Sequence, residues 1–150
     1  MDIIIRIANR DDVPAIAALL ADDPLGATRE EAGDLAPYHR GFEAVSAQQG
    51  NTILVAQQAD RVIGCLQLTI IPGLSRRGVT RALIEGVRVA TESRGLRIGE
   101  RLITHAIGLA REAGCGLVQL TSDNSRADAH RFYERLGFVA SHVGFKLPLD

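Results

Sequence analysis

The sequence predicts an α+β fold, or α/β in a looser scheme, in which about four helices flank a mixed and mostly antiparallel sheet. Short apolar runs with tight turns between them fill residues 52–89, which is typical of antiparallel hairpins. A strand, a helix and a further strand follow over residues 80–121, and this order makes the sheet mixed. The chain of 150 residues shows no repeat and no linker, so we expect one domain, 1–150.

The first third of the chain predicts one strand and two helices. Residues 3–8 form a β-branched run, and Asp11 or Asp12 can cap the helix that follows. Residues 22–37 predict a loop that can hold a helical turn, and residues 38–49 predict a second helix. The first of these helices has a buried face with helical spacing, made of Val13, Ile16, Ala17 and Leu20.

The middle of the chain predicts three strands and the longest helix. The turn at 72–78 leads into the third strand, and a helix over residues 97–113 follows that strand. Gly114 ends this helix in the manner of a C-terminal capping glycine. The three strands cover residues 52–57, 62–71 and 80–89.

The last third predicts a strand, a helix and a further strand. After a strand over 117–121, either Asn124 or Ser125 can cap the next helix, and Ser125 with Asp128 resembles a capping box. A final strand or strand pair is predicted at Val139 and 143–147.

The stretch from Glu85 to Gly99 organises the chain, because here a strand runs through a basic turn into a helix. Alternating apolar and polar residues predict the strand, and Gly86 marks a bulge or splay within it. The turn carries Arg94 and Arg97. The first N–H groups of a helix lack a partner within the helix and carry partial positive charge. The stretch therefore predicts an anion site, for which a pyrophosphate is the natural ligand.

Two common pyrophosphate motifs do not fit this stretch. A dinucleotide-binding fold needs Gly-x-Gly-x-x-Gly, but the turn contains only Gly95 and Gly99. A P-loop needs Gly-Lys-Ser/Thr, and the only lysine of the chain is Lys146.

The composition is that of an ordinary globular protein, with 46% hydrophobic and 23% charged residues. A net charge of −1 gives no general attraction to nucleic acid or to an anionic membrane, so we expect neither as a partner. We find no signal-peptide pattern and no apolar window long enough for a membrane span. Cys65 and Cys115 lie in apolar runs and are expected to be reduced, with a disulfide as the alternative. These features predict a cytoplasmic protein.

Two motifs carry a resemblance to a known family. The basic turn resembles the acyl-CoA-binding motif of the GNAT superfamily of N-acetyltransferases, Arg/Gln-x-x-Gly/Ala-x-Gly/Ala after a strand ending Val-x-Val. Arg94 and Gly99 fit this motif, and Arg97 stands where a small residue is usual. The second motif of the family, Asn-x-x-Ala and then Phe-Tyr-x-x-x-Gly-Phe, is similar to Asn124-Ser-Arg-Ala127 followed by Phe132-Tyr-Glu-Arg-Leu-Gly-Phe138. The order of elements also matches the GNAT fold, so the resemblance covers nearly the whole chain.

The resemblance implies an N-acetyltransferase that moves an acetyl group from acetyl-CoA directly to a primary amine of a small molecule or peptide, without a metal. It also implies that backbone N–H groups near Val87 to Val89 hold the pantetheine arm and the thioester carbonyl oxygen. The residues that it assigns to acetyl-CoA binding are Val87, Arg88, Val89, Arg94, Gly95, Leu96, Arg97, Ile98, Gly99, Asn124 and Tyr133.

Two side chains are candidates for the catalytic acid and base. The resemblance puts Tyr133 near the CoA sulfur, where a phenol with a pKa of about 10 can protonate the departing thiolate; the alternative is a half-buried aromatic that closes a helix against the sheet. Glu85 stands where family members often carry a base that acts through water; the alternative is a solvent-facing residue or the partner of an arginine. Glu92 is a weaker base candidate, and Asn124 is either a pantetheine contact or a plain helix cap.

The other reactive side chains predict no further chemistry. Neither cysteine has a histidine partner and no Gly-x-Ser-x-Gly occurs, so a covalent enzyme intermediate is disfavoured. Among the histidines, His142 lies where family members sometimes line the acceptor site. The four histidines lack metal-ligand spacing and are His39, His105, His130 and His142.

The sequence leaves the acceptor open. Arg76 and Arg77 favour an anionic group, an acidic loop favours a cationic amine, and each set is equally consistent with a plain solvated surface. Alternatives to the leading prediction are transfer of another acyl group, transfer to a protein N-terminus or lysine, and a CoA-binding sensor or interaction module without turnover. Family members often dimerise, so a homodimer stays open. The acidic residues are Asp22, Asp23, Glu30 and Glu31.

Overall fold

The computed structural model describes residues 2–22 and 25–150, and the chain divides into two compact units. The first unit ends at Gln119, and the second is Leu120–Asp150. Asp23, which belongs to the predicted acidic loop, lies outside the described residues.

A five-stranded mixed sheet forms the framework of the first unit, as the sequence predicts. Its strands lie side by side in chain order, and the first three neighbouring pairs are antiparallel. The apolar runs that alternate or lie buried in the sequence supply these strands. They are β1 (Ile3–Ile7), β2 (Asn51–Gln58), β3 (Arg61–Ile71), β4 (Arg81–Val89) and β5 (Leu117–Leu120).

Six helices occur within the described residues, and the four longest are the predicted ones. The other two are single turns, one in the predicted loop after α1 and one in the predicted turn before β4. The helices are α1 (Val13–Ala21), α2 (Gly26–Arg29), α3 (Ala36–Ala47), α4 (Ser75–Gly78), α5 (Ile98–Glu112) and α6 (Ala127–Arg135).

The core of the first unit lies between the sheet and its helices. Helix α5 contacts strands β1 to β4, and α1 contacts β3 and β4. Burial of large apolar side chains is the main favourable term in such packing. The largest fully buried ones include Leu54, Ile63, Leu66, Ile84, Ile98, Leu102 and Ile103.

Helix α5 ends as the sequence predicts. Gly114 has a φ of 80°, and its N–H donates to the carbonyl of Arg111 at 3.0 Å. The N–H of Cys115 donates to the carbonyl of Ala110, also at 3.0 Å. These two bonds form a Schellman motif, which needs a left-handed residue where glycine stands.

The start of α1 corrects the predicted cap. A turn of 3₁₀ helix precedes α1, and the side chain of Asn9 caps it by accepting from the N–H of Asp11 at 2.9 Å. The buried Asp12 carboxylate caps nothing in α1; it accepts from the N–H of Asn9 at 2.7 Å and from Arg6 at 2.8 Å on each oxygen. The prediction missed this arrangement because Arg6 comes from a neighbouring strand.

The second unit contains α6 and an irregular C-terminal segment. The predicted caps Asn124 and Ser125 are wrong, because the N-cap position is Arg126 and no side chain caps the helix. Ser125 instead donates from its N–H and its hydroxyl to Asp123 Oδ1, at 2.9 and 2.7 Å. The predicted final strand is also wrong, since residues 136–150 contain no strand in the structure.

Candidate active site

The bulge predicted at Gly86 is present in β4. Between two regular pairings, one residue of β3 faces both Gly86 and Val87, and Gly86 has a left-handed φ of 63°. Glycine adopts this conformation without strain, and a bulge takes its extra residue out of the ladder. The backbone here is therefore the part of β4 available to a ligand. The flanking pairs are Gln67 with Glu85 and Cys65 with Arg88.

The turn after β4 leads directly into the N-terminus of α5. A short 3₁₀ turn is followed by the extended Arg94, by Gly95 with a φ of 90°, and by Arg97 with a φ of 60°. Arg97 occupies the N-cap position and makes no capping hydrogen bond, and α5 begins at the buried Ile98. The first amides of α5 are thus not capped by a side chain, so an anion can take that place.

The left-handed conformation of Arg97 explains why the family motif prefers a small residue there. A non-glycine residue in this region costs about 1–2 kcal/mol. The side chain of Arg97 is exposed, and its Nε lies 3.8 Å from Glu100 Oε2. The guanidinium therefore adds positive charge near the turn while its backbone stays strained.

The acidic side chain beside this turn is paired. Glu92 accepts a hydrogen bond from Arg61, which lowers the pKa of the Glu92 carboxyl, and both side chains are exposed. This pairing favours a surface role for Glu92 over the weaker base role. Arg94 makes no ion pair with any of the residues that the structure describes.

Glu85 lies on the exposed face of β4, one residue before the bulge. Alternation along the strand puts Ala82 and Ile84, both buried, on one face, and Arg81 and Glu85 on the other. Within the described part of the chain Glu85 forms no ion pair and no hydrogen bond through its side chain. Its carboxylate is thus available to water and to an acceptor.

The end of α1 lies against the bulged part of β4. A Cβ placed on Gly86 would stand 3.7 Å from Leu20 Cδ2. The hydroxyl of Thr91, just beyond β4, donates to Asp22 Oδ2 at 2.9 Å. One carboxylate of the acidic loop is therefore held beside the strand that carries Glu85, a contact that sequence reasoning missed because the two residues are far apart in the chain.

The remaining acidic residues of that loop surround Tyr38 on α3. Its hydroxyl donates to Glu30 Oε1 at 2.9 Å and accepts from the N–H of Glu31 at 2.8 Å. Partial desolvation and the nearby carboxylates raise the pKa of Tyr38. The phenol therefore stays protonated and orders the loop between α2 and α3.

The turn between β3 and β4 is cationic and strained. Arg76 and Arg77 have left-handed φ values of 53° and 64° and are exposed. Arg81 follows at the start of β4, and its Nη1 would stand 3.6 Å from a Cβ on Gly73 in the same turn. Among described residues these three arginines have no acidic partner. An anionic group would therefore be attracted to the turn.

In the second unit, Tyr133 lies half-buried between two phenylalanines. Its ring centroid is 5.1 Å from that of Phe132 and 5.9 Å from that of Phe138, both edge-to-face. Such contacts fix the ring of a tyrosine while leaving its hydroxyl at one end. Asn124 is exposed, and His142 is exposed with its Nδ1 2.6 Å from the Ser141 hydroxyl.

Both cysteines are free, as predicted. Complete burial raises the pKa of Cys65 to about 12, and its Sγ lies 3.7 Å from the Gly86 carbonyl oxygen. A thiol so protonated is not a nucleophile at neutral pH. Over residues 2–22 and 25–150, no group of histidine, cysteine and acidic side chains could hold a metal ion, and no helix has the length and hydropathy of a membrane span.

In this arrangement a bulged strand of a mixed sheet leads through a turn into an uncapped helix. Together with the relatives described below, it identifies the protein as an acetyltransferase. A model of the Acetyltransferase (GNAT) family matches residues 14–138, and the chain belongs to that family.

Two curated relatives are N-acetyltransferases. The chain is 30% identical over 145 residues to the aminoalkylphosphonate N-acetyltransferase of Salmonella typhimurium, covering 97% of this chain and 90% of that protein. It is 34% identical over 93 residues to the glucosamine 6-phosphate N-acetyltransferase of Trypanosoma brucei brucei, covering 62% of this chain and 61% of that protein.

Solved structures share the whole fold. A protein of Bacillus halodurans C-125 described as a transcriptional regulator is 43% identical with a TM-score of 0.95, over 99% of this chain and 100% of that one. A putative acetyltransferase of Agrobacterium tumefaciens is 29% identical with a TM-score of 0.86, over 97% and 99%. The predicted GNAT membership and fold are thereby confirmed.

Proposed function

We propose that this acetyltransferase moves an acetyl group from acetyl-CoA directly to the primary amine of a small molecule or peptide. The observation that carries the proposal is the bulged β4 that leads through a cationic turn into the uncapped start of α5. The 150 residues work as one domain, since the family model extends over both compact units.

The residues of the turn fit the diphosphate of coenzyme A. The first amides of α5, from Ile98 and Gly99 onward, donate to phosphate oxygens, and Arg94 and Arg97 add full charges. Gly95 and Leu96 lie in the same turn and contact coenzyme A through their backbone atoms. The pantetheine arm runs along Val87, Arg88 and Val89, and Asn124 and Tyr133 contact it in accordance with the second family motif.

The reaction then needs one base, one oxyanion donor and one acid. Glu85 takes a proton from the acceptor amine through a water molecule, and the amine nitrogen attacks the thioester carbon. A backbone N–H near Val87 to Val89 stabilises the oxyanion of the tetrahedral intermediate. The C–N bond forms in this attack; collapse of the intermediate then restores the C=O bond and cleaves the C–S bond. The nitrogen gives its remaining extra proton to solvent, and Tyr133 protonates the departing thiolate.

The acceptor is a small amine that carries a phosphonate or phosphate group. Two curated relatives are named for such amines, and Arg76, Arg77 and Arg81 give the turn positive charge that no described acidic residue pairs with. Arg81 and Glu85 share one face of β4 at a separation of about 13 Å along the strand. An acceptor can therefore present its amine toward Glu85 and its anionic end toward the turn.

The thiols and the net charge also bear on where the protein acts and on its partners. The free thiols fit a reducing, cytoplasmic location. The net charge of −1 gives no general attraction to nucleic acid or to membranes. No metal takes part in the proposed reaction, and a homodimer stays compatible with it.

A thiol-release assay with acetyl-CoA and a panel of amines tests the function. We expect release with an aminoalkylphosphonate and less with an alkylamine of equal chain length. Tight acetyl-CoA binding without release for any amine would instead indicate a CoA-binding sensor, and faster release from longer acyl donors would indicate a different acyltransferase.

Two substitutions test the mechanism in the same assay. Glu85→Gln and Tyr133→Phe should each lower kcat by roughly 10²-fold or more. The matched controls are Glu112→Gln, an exposed residue at the far end of α5, and Tyr38→Phe, the other tyrosine of the chain. Parent-like rates for both site variants across pH would contradict these roles even if the reaction class is right.

A further inference from the structure

Strand β3, the middle strand of the sheet, carries two polar side chains on one face. Gly64 lies under α5, and the buried Leu66 and Leu68 share its face because side chains alternate along a strand. The opposite face carries Gln67 and Thr69, which are both half-buried. We call these two residues the polar strip. Packing against α5 does not account for them, since they point away from that helix.

The register of the sheet puts the polar strip beside Glu85. Gln67 lies directly opposite Glu85 on β4, and Thr69 lies opposite Leu83. The Cβ atoms of residues paired in this way are about 4.5–5.5 Å apart on one face of an antiparallel sheet. Alternation puts Arg81 on the same face, two residues before Leu83. The polar strip thus lies alongside the line from Glu85 to Arg81, which the proposed function assigns to the amine and the anionic end of the acceptor.

The fold does not use the polar atoms of the strip. Over residues 2–22 and 25–150, neither Gln67 nor Thr69 forms a hydrogen bond through its side chain. Their polar atoms are also absent from the fully buried ones that lack a partner, so a ligand can reach them. A glutamine amide and a threonine hydroxyl can each donate and accept. They therefore suit a hydroxyl group, which does the same, and they gain no hydrogen bond from an alkyl chain.

We propose that the polar strip binds a hydroxyl group that lies between the amine and the anionic end of the acceptor. The acceptor class is then a hydroxylated amino phosphonate or amino phosphate rather than a plain aminoalkylphosphonate. This inference rests on the proposed function, from which it takes the direction of the acceptor along β4. A neutral hydroxyl is favoured over a second charged group because both Gln67 and Thr69 are neutral.

The strip makes the enzyme discriminate between acceptors. An acceptor without the hydroxyl covers the amide of Gln67 and the hydroxyl of Thr69 without replacing the hydrogen bonds that these groups make to water. The loss of such bonds on one acceptor of a pair should change its kcat/KM by roughly 10-fold. A site built to hydrogen-bond a substrate hydroxyl rejects the analogue that lacks it for this reason.

Two acceptors that differ by one hydroxyl test the proposal in the thiol-release assay with acetyl-CoA. They are 3-amino-2-hydroxypropylphosphonate and 3-aminopropylphosphonate. The parent should show a kcat/KM roughly 10-fold higher for the hydroxylated acceptor. Gln67→Met and Thr69→Val nearly keep the side-chain shapes and remove the hydrogen-bonding groups. Each should lower this ratio by roughly 3-fold or more, through a loss on the hydroxylated acceptor alone, and the double substitution should bring the ratio to about one.

A matched variant separates binding from a structural role. Gln58 is also a half-buried glutamine with no side-chain hydrogen bond in the described part of the chain, and it lies at the end of β2 beside the next turn. Gln58→Met should keep the parent's ratio. If Gln67 and Thr69 only supported the fold, their variants would slow both acceptors together and leave the ratio unchanged.

Calorimetry with the two phosphonates and the coenzyme A-loaded protein gives the same comparison without turnover, as a ratio of Kd values. Equal use and equal affinity of the two acceptors by the parent, no binding of either, or a ratio that survives the double substitution would each overturn the proposal. Thiol release with other amines but no preference for the hydroxyl would contradict this inference alone. A preference in Kd without thiol release from any amine would support the strip and contradict the proposed function.

Discussion

The first turn of α5 lies directly over Gly64 of β3: a Cβ placed on Gly64 would stand 3.0 Å from Ile98 Cγ2. It would also stand 3.0 Å from Leu102 Cδ1 and 3.2 Å from the carbonyl oxygen of Arg88. At these distances the neighbouring atoms would have to move by a few tenths of an ångström to accept a side chain at position 64. The position of the proposed diphosphate site therefore depends on a glycine of β3, which precedes Ile98 by 34 positions in the chain.

Gly64→Ala should displace the start of α5 and weaken coenzyme A binding. Overpacking of this kind costs about 1–3 kcal/mol in the free energy of unfolding, which urea denaturation measures, and calorimetry should show a higher Kd for coenzyme A. Gly108→Ala is the matched control, because Gly108 lies within α5 with no atom within 4 Å of its added Cβ. The free energy of unfolding of this control should be unchanged or higher by up to about 1 kcal/mol. Equal effects of the two substitutions would contradict the account.

Arg97→Gly should stabilise the protein while removing a positive charge from the site. Glycine relieves the left-handed strain at this position, which is about 1–2 kcal/mol. Arg94→Gly removes the same charge from an extended residue with a φ of −66°. Glycine relieves no backbone strain there, and it destabilises the folded protein because it raises the conformational entropy of the unfolded chain. Thermal unfolding should thus move in opposite directions for the two variants, while both weaken coenzyme A binding. A lower melting temperature for Arg97→Gly would show that its backbone is not strained.

The Arg6–Asp12 pair should make stability depend on acid pH. The hydrogen bond from Arg6 lowers the pKa of the buried Asp12 carboxyl below the unfolded value of about 3.9. The pair's contribution to the free energy of unfolding is therefore fully present above the unfolded pKa. It is lost as pH falls through the lower folded pKa. Arg6→Met leaves the buried Asp12 carboxylate without this partner and should lower the free energy of unfolding by about 1–3 kcal/mol at pH 7, and the difference from the parent should shrink in acid.

Denaturant unfolding across pH 2 to 7 measures this dependence. Arg10→Met is the matched control, because its partner Glu43 is exposed and such pairs contribute about 0–1 kcal/mol. A constant difference between Arg6→Met and the parent at every pH would contradict the assignment.

The two thiols should react very differently in the folded protein. Burial raises the pKa of Cys65 to about 12, so its thiol stays protonated at pH 8. Cys115 is half-buried and should react first with a disulfide reagent, whereas Cys65 should react only after unfolding. Acetyl transfer should be unchanged once Cys115 is modified. Rapid labelling of Cys65, or loss of activity on labelling of Cys115, would indicate a role for a thiol that the structure does not support.

Local sequence patterns predicted most of the framework. The bulge at Gly86 and the end of α5 at Gly114 followed from glycine at positions that need positive φ. The four long helices and five strands followed from periodicity. These signals are readable because they depend on neighbouring residues alone.

The errors arose where distant residues decide the structure. Asn9 accepts the capping bond of the first turn, and Asp12 completes that capping box by accepting from the N–H of Asn9 while it also pairs with Arg6 of β1. The segment around Phe145 has a strand pattern, but a strand also needs a partner, which periodicity does not supply. The contact between Thr91 and Asp22 likewise joins residues 69 positions apart.

Calorimetry with coenzyme A and with pantetheine, which lacks the diphosphate, tests the central claim most directly. The account predicts that coenzyme A binds at one site per chain and that pantetheine binds at least about 100-fold more weakly, because the amides at the start of α5 and the arginines of the turn hold the diphosphate. No detectable binding of coenzyme A, or equal affinity for the two ligands, would contradict it.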